Sequence, residues 1–215
     1  MQMQFSSRLA TLTAAGVIAV ALCGCSASPP AKLAVYDFGP GATRPEPTPR
    51  MAPLAPVLLA EVETSAALEG TAVLYRLAYA DANQLRPYAQ ARWAMPPTQL
   101  LRQRLREKLG TQRTVLASTD AVAPGTLVLR VELEEFSQLF DSATSSAGLV
   151  RVRATLGRTG SPPKALAQTS LVVPQPAATA DAAGGVRALA QASDALVRQL
   201  DQWMQQVAAA EATTP

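Results

Sequence analysis

From Leu127 the chain alternates apolar and polar positions: Leu127, Leu129, Val131 and Leu133 interleave with Val128, Arg130, Glu132 and Glu134. A two-residue period places alternate side chains on opposite faces of a β-strand, so the leucines and valines mark a buried face. Phe136 falls on the opposite parity, and one extra residue near Glu134, a β-bulge, would return its ring to the core. Val150, Val152, Ala154 and Leu156 repeat the alternation beside Arg151 and Arg153, and Ala165 to Val173 follows a loop holding Gly160, Pro162 and Pro163. Three successive strands of this kind predict an antiparallel meander.

The period then changes. Val186, Leu189, Ser193, Leu196, Val197, Leu200, Trp203, Met204 and Val207 form one stripe at a 3.6-residue repeat, the mark of an amphipathic helix. Its other face lacks the basic clustering of helices that lie on membranes, so the stripe is assigned to the core; Asp194 and Arg198 stand four apart on the polar side. Pro96 and Pro97 open an earlier helix that carries Leu101, Leu105 and Leu109 on one face and ends at Gly110. Val57 to Val62 and Ala72 to Ala78, separated by a polar turn with Gly70, read as a hairpin, and a short extended piece surrounds Tyr88. Leu33 to Phe38 reads as a first strand. The prolines at 40, 45, 47, 49, 53 and 56 then exclude regular structure, leaving a long loop or a flexible tether. The assembled expectation is an α+β single domain: an antiparallel sheet with two helices packed on one face, burying Leu101, Leu105, Leu200 and Trp203.

Ahead of this domain lies a different pattern. The apolar run Leu9 to Leu22 follows Arg8 and has 14 residues, short of the roughly 20 that cross a bilayer as a helix. It ends in Leu22, Cys23, Gly24 and Cys25, which reads as a bacterial lipobox. Residues 1–24 are then a signal peptide and Cys25 the acylated new N-terminus. Residues 25–32 form the lipidated start and tether, 33–207 the domain and 208–215 a C-terminal tail. Several acyl chains, palmitate among them, make such an anchor stable. Ser26 follows the cysteine where an aspartate would retain the protein at the inner membrane, so the expected location is the outer membrane, periplasmic face.

Composition narrows the chemistry. The chain contains no histidine, three lysines and two cysteines, Cys23 and Cys25. The first cysteine leaves with the signal and the second becomes a thioether, so no disulfide or thiolate metal site is expected. The usual general base near neutral pH and the commonest metal ligand are both missing. The whole-chain charge of +3 falls by one when Arg8 is removed, too little for a nucleic-acid field. Gly184 and Gly185 lack the lysine and hydroxyl residue of a phosphate loop and read as the lead-in to the last helix. No cofactor, no metal and no enzymatic activity are expected. Arg102, Arg104, Arg106 and Lys108, with Arg113 beyond, read as a solvated face over the leucines, with a headgroup or partner site as the sharper alternative. Glu132 and Glu134 share the exposed face of their strand, where an arginine, Arg151 or Arg153, can pair with them across the sheet.

The segment with Leu74, Tyr75, Arg76, Tyr88, Arg92, Trp93, Pro96, Pro97 and Leu101 resembles the signature of the ABC-type transport auxiliary lipoproteins, the PqiC-like family. Those proteins pair a lipobox with a strand carrying tyrosine and arginine, a further tyrosine, a tryptophan followed shortly by proline, and a leucine-rich helix. A strand ending near phenylalanine, here Phe136, and a final helix with a tryptophan, here Trp203, complete the pattern. The resemblance implies a non-catalytic outer-membrane lipoprotein that works with an MCE-domain protein and an ABC transporter complex in moving lipids. Tyr75, Arg76 and Trp93 carry over as positions that either bind a partner or pack, with packing favoured for Trp93. The alternative is a structural outer-membrane lipoprotein that stabilises an envelope complex without taking part in transport.

Overall fold

The computed structural model describes residues 32–40 and 54–213. The lipobox with Cys25, and the prolines from Pro45 to Pro53, lie outside the described residues. The strands are β1 (Ala34–Tyr36), β2 (Leu54–Thr64), β3 (Ala72–Leu77), β4 (Ala82–Trp93), β5 (Arg113–Leu116), β6 (Leu127–Phe140), β7 (Ser146–Arg158) and β8 (Lys164–Pro176). One helical turn, α1 (Ala78–Asp81), separates β3 from β4. The longer helices are α2 (Pro97–Leu109) and α3 (Ala182–Thr213).

The meander is present as the alternation requires: β6 and β8 both pair antiparallel with β7. Leu133 pairs with Val152 and Glu135 with Arg151, so Glu134 is the extra residue of a bulge. That shift returns Phe136 to the core at 1% exposure. Val150, Val152, Ala154 and Leu156 line the same buried face. Across it lies α3, whose Leu189, Ala192, Leu196, Leu200 and Met204 are buried, while α2 packs beside it over β2.

The approach of α3 depends on small residues. A Cβ on Gly148 of β7 would lie 2.6 Å from the Leu189 nitrogen, so only glycine lets the helix backbone come this near. The Asp181 carboxylate accepts the Gly184 N–H at 2.7 Å and caps the helix start, which places Gly184 and Gly185 inside the first turn of α3 and not in a loop before it.

The α+β class holds, but the sheet is mixed where the sequence predicted an antiparallel one. The segments expected to pair as a hairpin, β2 and β3, do not touch as partners. Both lie parallel to β6 on the same edge, one after the other: Val57 to Thr64 runs along Leu127 to Leu133, and Tyr75 to Leu77 along Gln138 to Phe140. The link between them holds a 3-10 turn, Ala66–Leu68, whose Leu68 is buried. The chain dips into the core there and resumes its direction instead of reversing. The 14 residues of β6 are long enough to hold both strands, and β3 finds its antiparallel partner in β4. Parallel pairing of β1 with β4 and of β2 with β5 completes the sheet.

Three further differences are local. Pro56, expected in loop, lies within β2 at a register irregularity against the edge strand β5, a place where a missing N–H is tolerated. Trp203 is half-buried at the border of the stripe, whereas its neighbour Met204 is fully buried. Helix α3 runs past Val207 to Thr213, and Glu211 in its last turn meets Arg158 at 2.8 Å and Lys164 at 3.3 Å.

Candidate functional site

Tyr75 and Arg76 are successive residues of β3, so the pleat sends them to opposite faces. Tyr75 sits beside Gln138 on the helix-covered face. Its ring lies 4.6 Å from that of Tyr88 on β4 and 6.0 Å from Phe140 on β6. The Tyr88 hydroxyl donates to Gln138 Oε1 at 2.8 Å, and Gln138 Nε2 donates to Ser146 Oγ at 2.8 Å. Gln138 is fully buried, so this chain of bonds satisfies an amide that would otherwise be costly there. Gly185 closes over it: a Cβ at that position would stand 2.0 Å from Gln138 Oε1.

Burial pushes the Tyr88 phenol up to about 12, helped by the nearby charges of Tyr75 and Asp181. An unfolded chain releases this proton near 10. Between those two values the unfolded state has lost the proton and the folded state has kept it, so the Tyr88 contribution is complete below about 10 and fades as pH rises towards 12. The expected result is a phenolate titration in which the wild type minus Tyr88→Phe difference appears near 12. A difference centred at the value of a free tyrosine would contradict the buried network.

Arg76 points to the other face. It grips Glu135 with two bonds, Nε to Oε1 at 3.3 Å and Nη2 to Oε2 at 3.0 Å, while Nη1 donates to the carbonyls of Ala82 and Asn83 at 3.2 Å each. The guanidinium therefore ties the α1 turn to β6. At that turn Tyr79 is 52% exposed. Trp93, the last residue of β4, is 2% exposed; its ring meets Phe38 at 5.8 Å and Phe136 at 5.6 Å, both edge-on. The three family positions thus do not converge: Tyr75 joins an aromatic and amide network, Arg76 a clamp on the opposite face, and Trp93 the core.

Several other charges are engaged with one another. Arg153 bridges Glu134 at 2.6 Å and Glu132 at 3.7 Å across the strands, as the alternation suggested. The arginine-rich helix keeps Arg106 exposed as expected, but two of the basic residues depart from the solvated face. Arg104 is buried, donates to the Phe38 carbonyl at 2.7 Å and meets Asp194 at 3.4 Å, so Asp194 pairs between helices and not with Arg198. Arg113 is buried against Asp201. The signal for both pairs was present: Asp194 and Asp201 are seven apart, two turns, and so share the side of α3 that faces α2. A cleft of about 140 Å³ between Phe38, Met95, Leu100 and Glu107 ends on Arg104, whose donors are already committed. Among the described residues no group of three acidic or thiol side chains could hold a metal.

The family model for the ABC-type transport auxiliary lipoprotein component matches residues 36–201, from β1 to the middle of α3. The chain belongs to the ABC-type transport auxiliary lipoprotein family. Membership gives it an accessory role in ABC-type transport and the membrane association of a lipoprotein. No curated protein matches the chain. Its fold is similar to that of protein XCC0632 from Xanthomonas campestris, described as DUF330, with TM-score 0.68 and 19% identity over 84% of this chain and 100% of that one. A second crystal structure, of an uncharacterized protein, has TM-score 0.59 and 15% identity over 80% of this chain and 99% of that one. At these identities the likeness is one of fold.

Proposed function

We propose that this auxiliary lipoprotein is held on the periplasmic face of the outer membrane by acyl chains on Cys25, and acts there as a non-catalytic subunit of an MCE/ABC-type lipid transport system. In this reading it docks the MCE-domain protein and supports transfer of lipid between membranes. The observation that carries it is the family match, which runs from the end of β1 to the middle of α3. One feature agrees with a docking role. The Arg76 clamp fixes the α1 turn and presents Tyr79, an amphipathic ring of the type enriched at protein interfaces. Trp93, at the far end of β4, acts as a packing residue that holds the strand on the core.

The anchor has a direct test. Replacing Cys25 with alanine is expected to release the protein from membranes and to abolish its support of the envelope, while the purified domain melts at the wild-type temperature. Each buried methylene of an acyl chain contributes about 0.8 kcal/mol, so the loss of several chains should empty the membrane fraction. Retention of the variant there would refute the anchor. Affinity purification of the intact lipoprotein from envelopes tests the partner. An MCE-domain protein in specific excess supports the transport reading, and recovery of only porins or peptidoglycan-linked proteins supports the structural alternative.

A further inference from the structure

We propose that the outer edge of β8, from Ala167 to Val173, is a docking edge that receives an extended segment of another protein of the transport system as an added strand. This rests on the transport reading above and deepens it by naming a second surface and the chemistry of its occupant.

Among the described residues the sheet has three strands with a single neighbour: β1 and β5, of three and four residues, and β8, of 13. Short strands are one of the ordinary protections of a sheet edge; charge, proline and bulges are others. The third edge carries a bulge at Leu166, where Leu156 pairs with Ala167 and Gly157 with Ala165, and has none of these over the seven residues that follow, Ala-Gln-Thr-Ser-Leu-Val-Val, which contain neither a charge nor a proline. Protection returns at both ends. Lys164 joins the Arg158 and Glu211 cluster at the start, and Pro174 and Pro176 stop strand addition at the other end. The bare stretch therefore has a defined length and a row of backbone donors and acceptors whose natural complement is a β-strand.

The surroundings define what that strand carries. Asp194 and Asp201 mark the side of α3 that faces α2 and β5. At 100° per residue Gln199 and Trp203 lie on the flank turned away from them, over β8. Trp203 is the half-buried tryptophan of the stripe, so an apolar side chain on the helix side of an added strand would complete its burial. On the other face Val172 is 54% exposed and lies across from Arg151. Arg151 is itself exposed, and its neighbour on the inner side, Glu135, is taken by Arg76. An acidic residue on that face of the incoming strand would supply the counter-charge. A second copy of β8 offers only Gln168, Ser170 and Val172 there, and so leaves Arg151 without one. The occupant that fits is a segment of about seven residues, apolar towards α3 and acidic on the opposite face.

The test uses the full lipidated chain in cells, with a photo-reactive amino acid in place of exposed Gln168, and mass spectrometry to locate the cross-link. The expected product joins this position to an extended segment of another transport component. Val172→Glu, which sets a like charge against the incoming acid, should reduce it about tenfold or more. Ser170→Glu serves as a second variant, and both should melt as the wild type does. A cross-link to a second copy, to another part of the same chain, or to nothing would overturn the proposal, as would a yield indifferent to both variants. The two readings fail separately. If the MCE-domain protein co-purifies undiminished with Val172→Glu, transport stands and the docking edge falls. If the Val172-dependent cross-link reaches a protein foreign to transport, the edge stands and its assignment to the transport system falls.

Discussion

Replacing Trp93 with alanine is expected to lower the stability of the domain by about 3 to 5 kcal/mol, the range for deleting a large aromatic from a well-packed core. The ring is 2% exposed and meets Phe38 and Phe136 edge-on. Phe38 follows β1, Trp93 ends β4 and Phe136 lies beyond the bulge of β6, so one deletion loosens three parts of the sheet. The surrounding backbone cannot close the gap, because β1 and β4 are paired in register through Tyr36 and Trp93 itself. Against a net stability of roughly 5 to 15 kcal/mol, the loss is a large fraction of the whole. Chemical denaturation of the soluble domain gives the measurement, with Trp203→Ala as its control. Trp203 is half-buried, so its removal should cost clearly less. Equal losses from the two variants would show that the core is not centred on Trp93.

Both tryptophans looked like core residues in the sequence, and their order of burial could not be read from it. Trp203 sits in a clear helical stripe, yet a stripe fixes only a direction, and a residue at its border stays partly in water. Trp93 has no such pattern around it and is buried because β1 and β6 bring Phe38 and Phe136 to it from distant parts of the chain. The same distinction runs through the fold. The meander and its bulge were legible because period and phase are local properties, and the misplaced parity of Phe136 marked the bulge by itself. The placement of β2 and β3 end to end along β6 was not legible. Two β-favouring segments around a polar link with Gly70 carry the signal of a hairpin, and only the burial of Leu68 and the length of β6 redirect the chain.

The family positions divide similarly. Adjacent residues on a strand must face opposite ways, so the separation of Tyr75 from Arg76 followed from the sequence once β3 was recognised. Their partners did not, since Gln138 and Glu135 come from a strand about 60 residues away and become neighbours only through the parallel pairing of β3 with β6. For Arg104 of α2 and Arg113 of β5, the expectation of a solvated face failed because it treated the helix alone, while Arg106 is exposed as expected. The aspartates that draw Arg104 and Arg113 inwards belong to α3, and the pairing requires that helix to be packed against α2 and β5.

That packing makes a second large effect accessible. Asp201→Ala is expected to cost about 3 to 5 kcal/mol, the usual consequence of breaking a buried ion pair from one side. The Arg113 side chain is 3% exposed and its Nε has no partner, so the guanidinium depends on Asp201 for its compensation. Removing the carboxylate leaves a cation in a place where water reaches it poorly, at the junction of β5 with α3. The attraction between the two charges is not itself the quantity lost, because both were dehydrated on folding; what is lost is the balance between them. The double replacement Arg113→Met and Asp201→Ala separates these contributions. With neither charge present, the penalty for an orphaned cation disappears, and an apolar side chain of similar length fills the space left by the arginine. The double variant should therefore recover most of the stability lost in Asp201→Ala. If it is instead as unstable as the sum of the two single variants, Arg113 and Asp201 act independently, and α3 is held to β5 by something other than this pair.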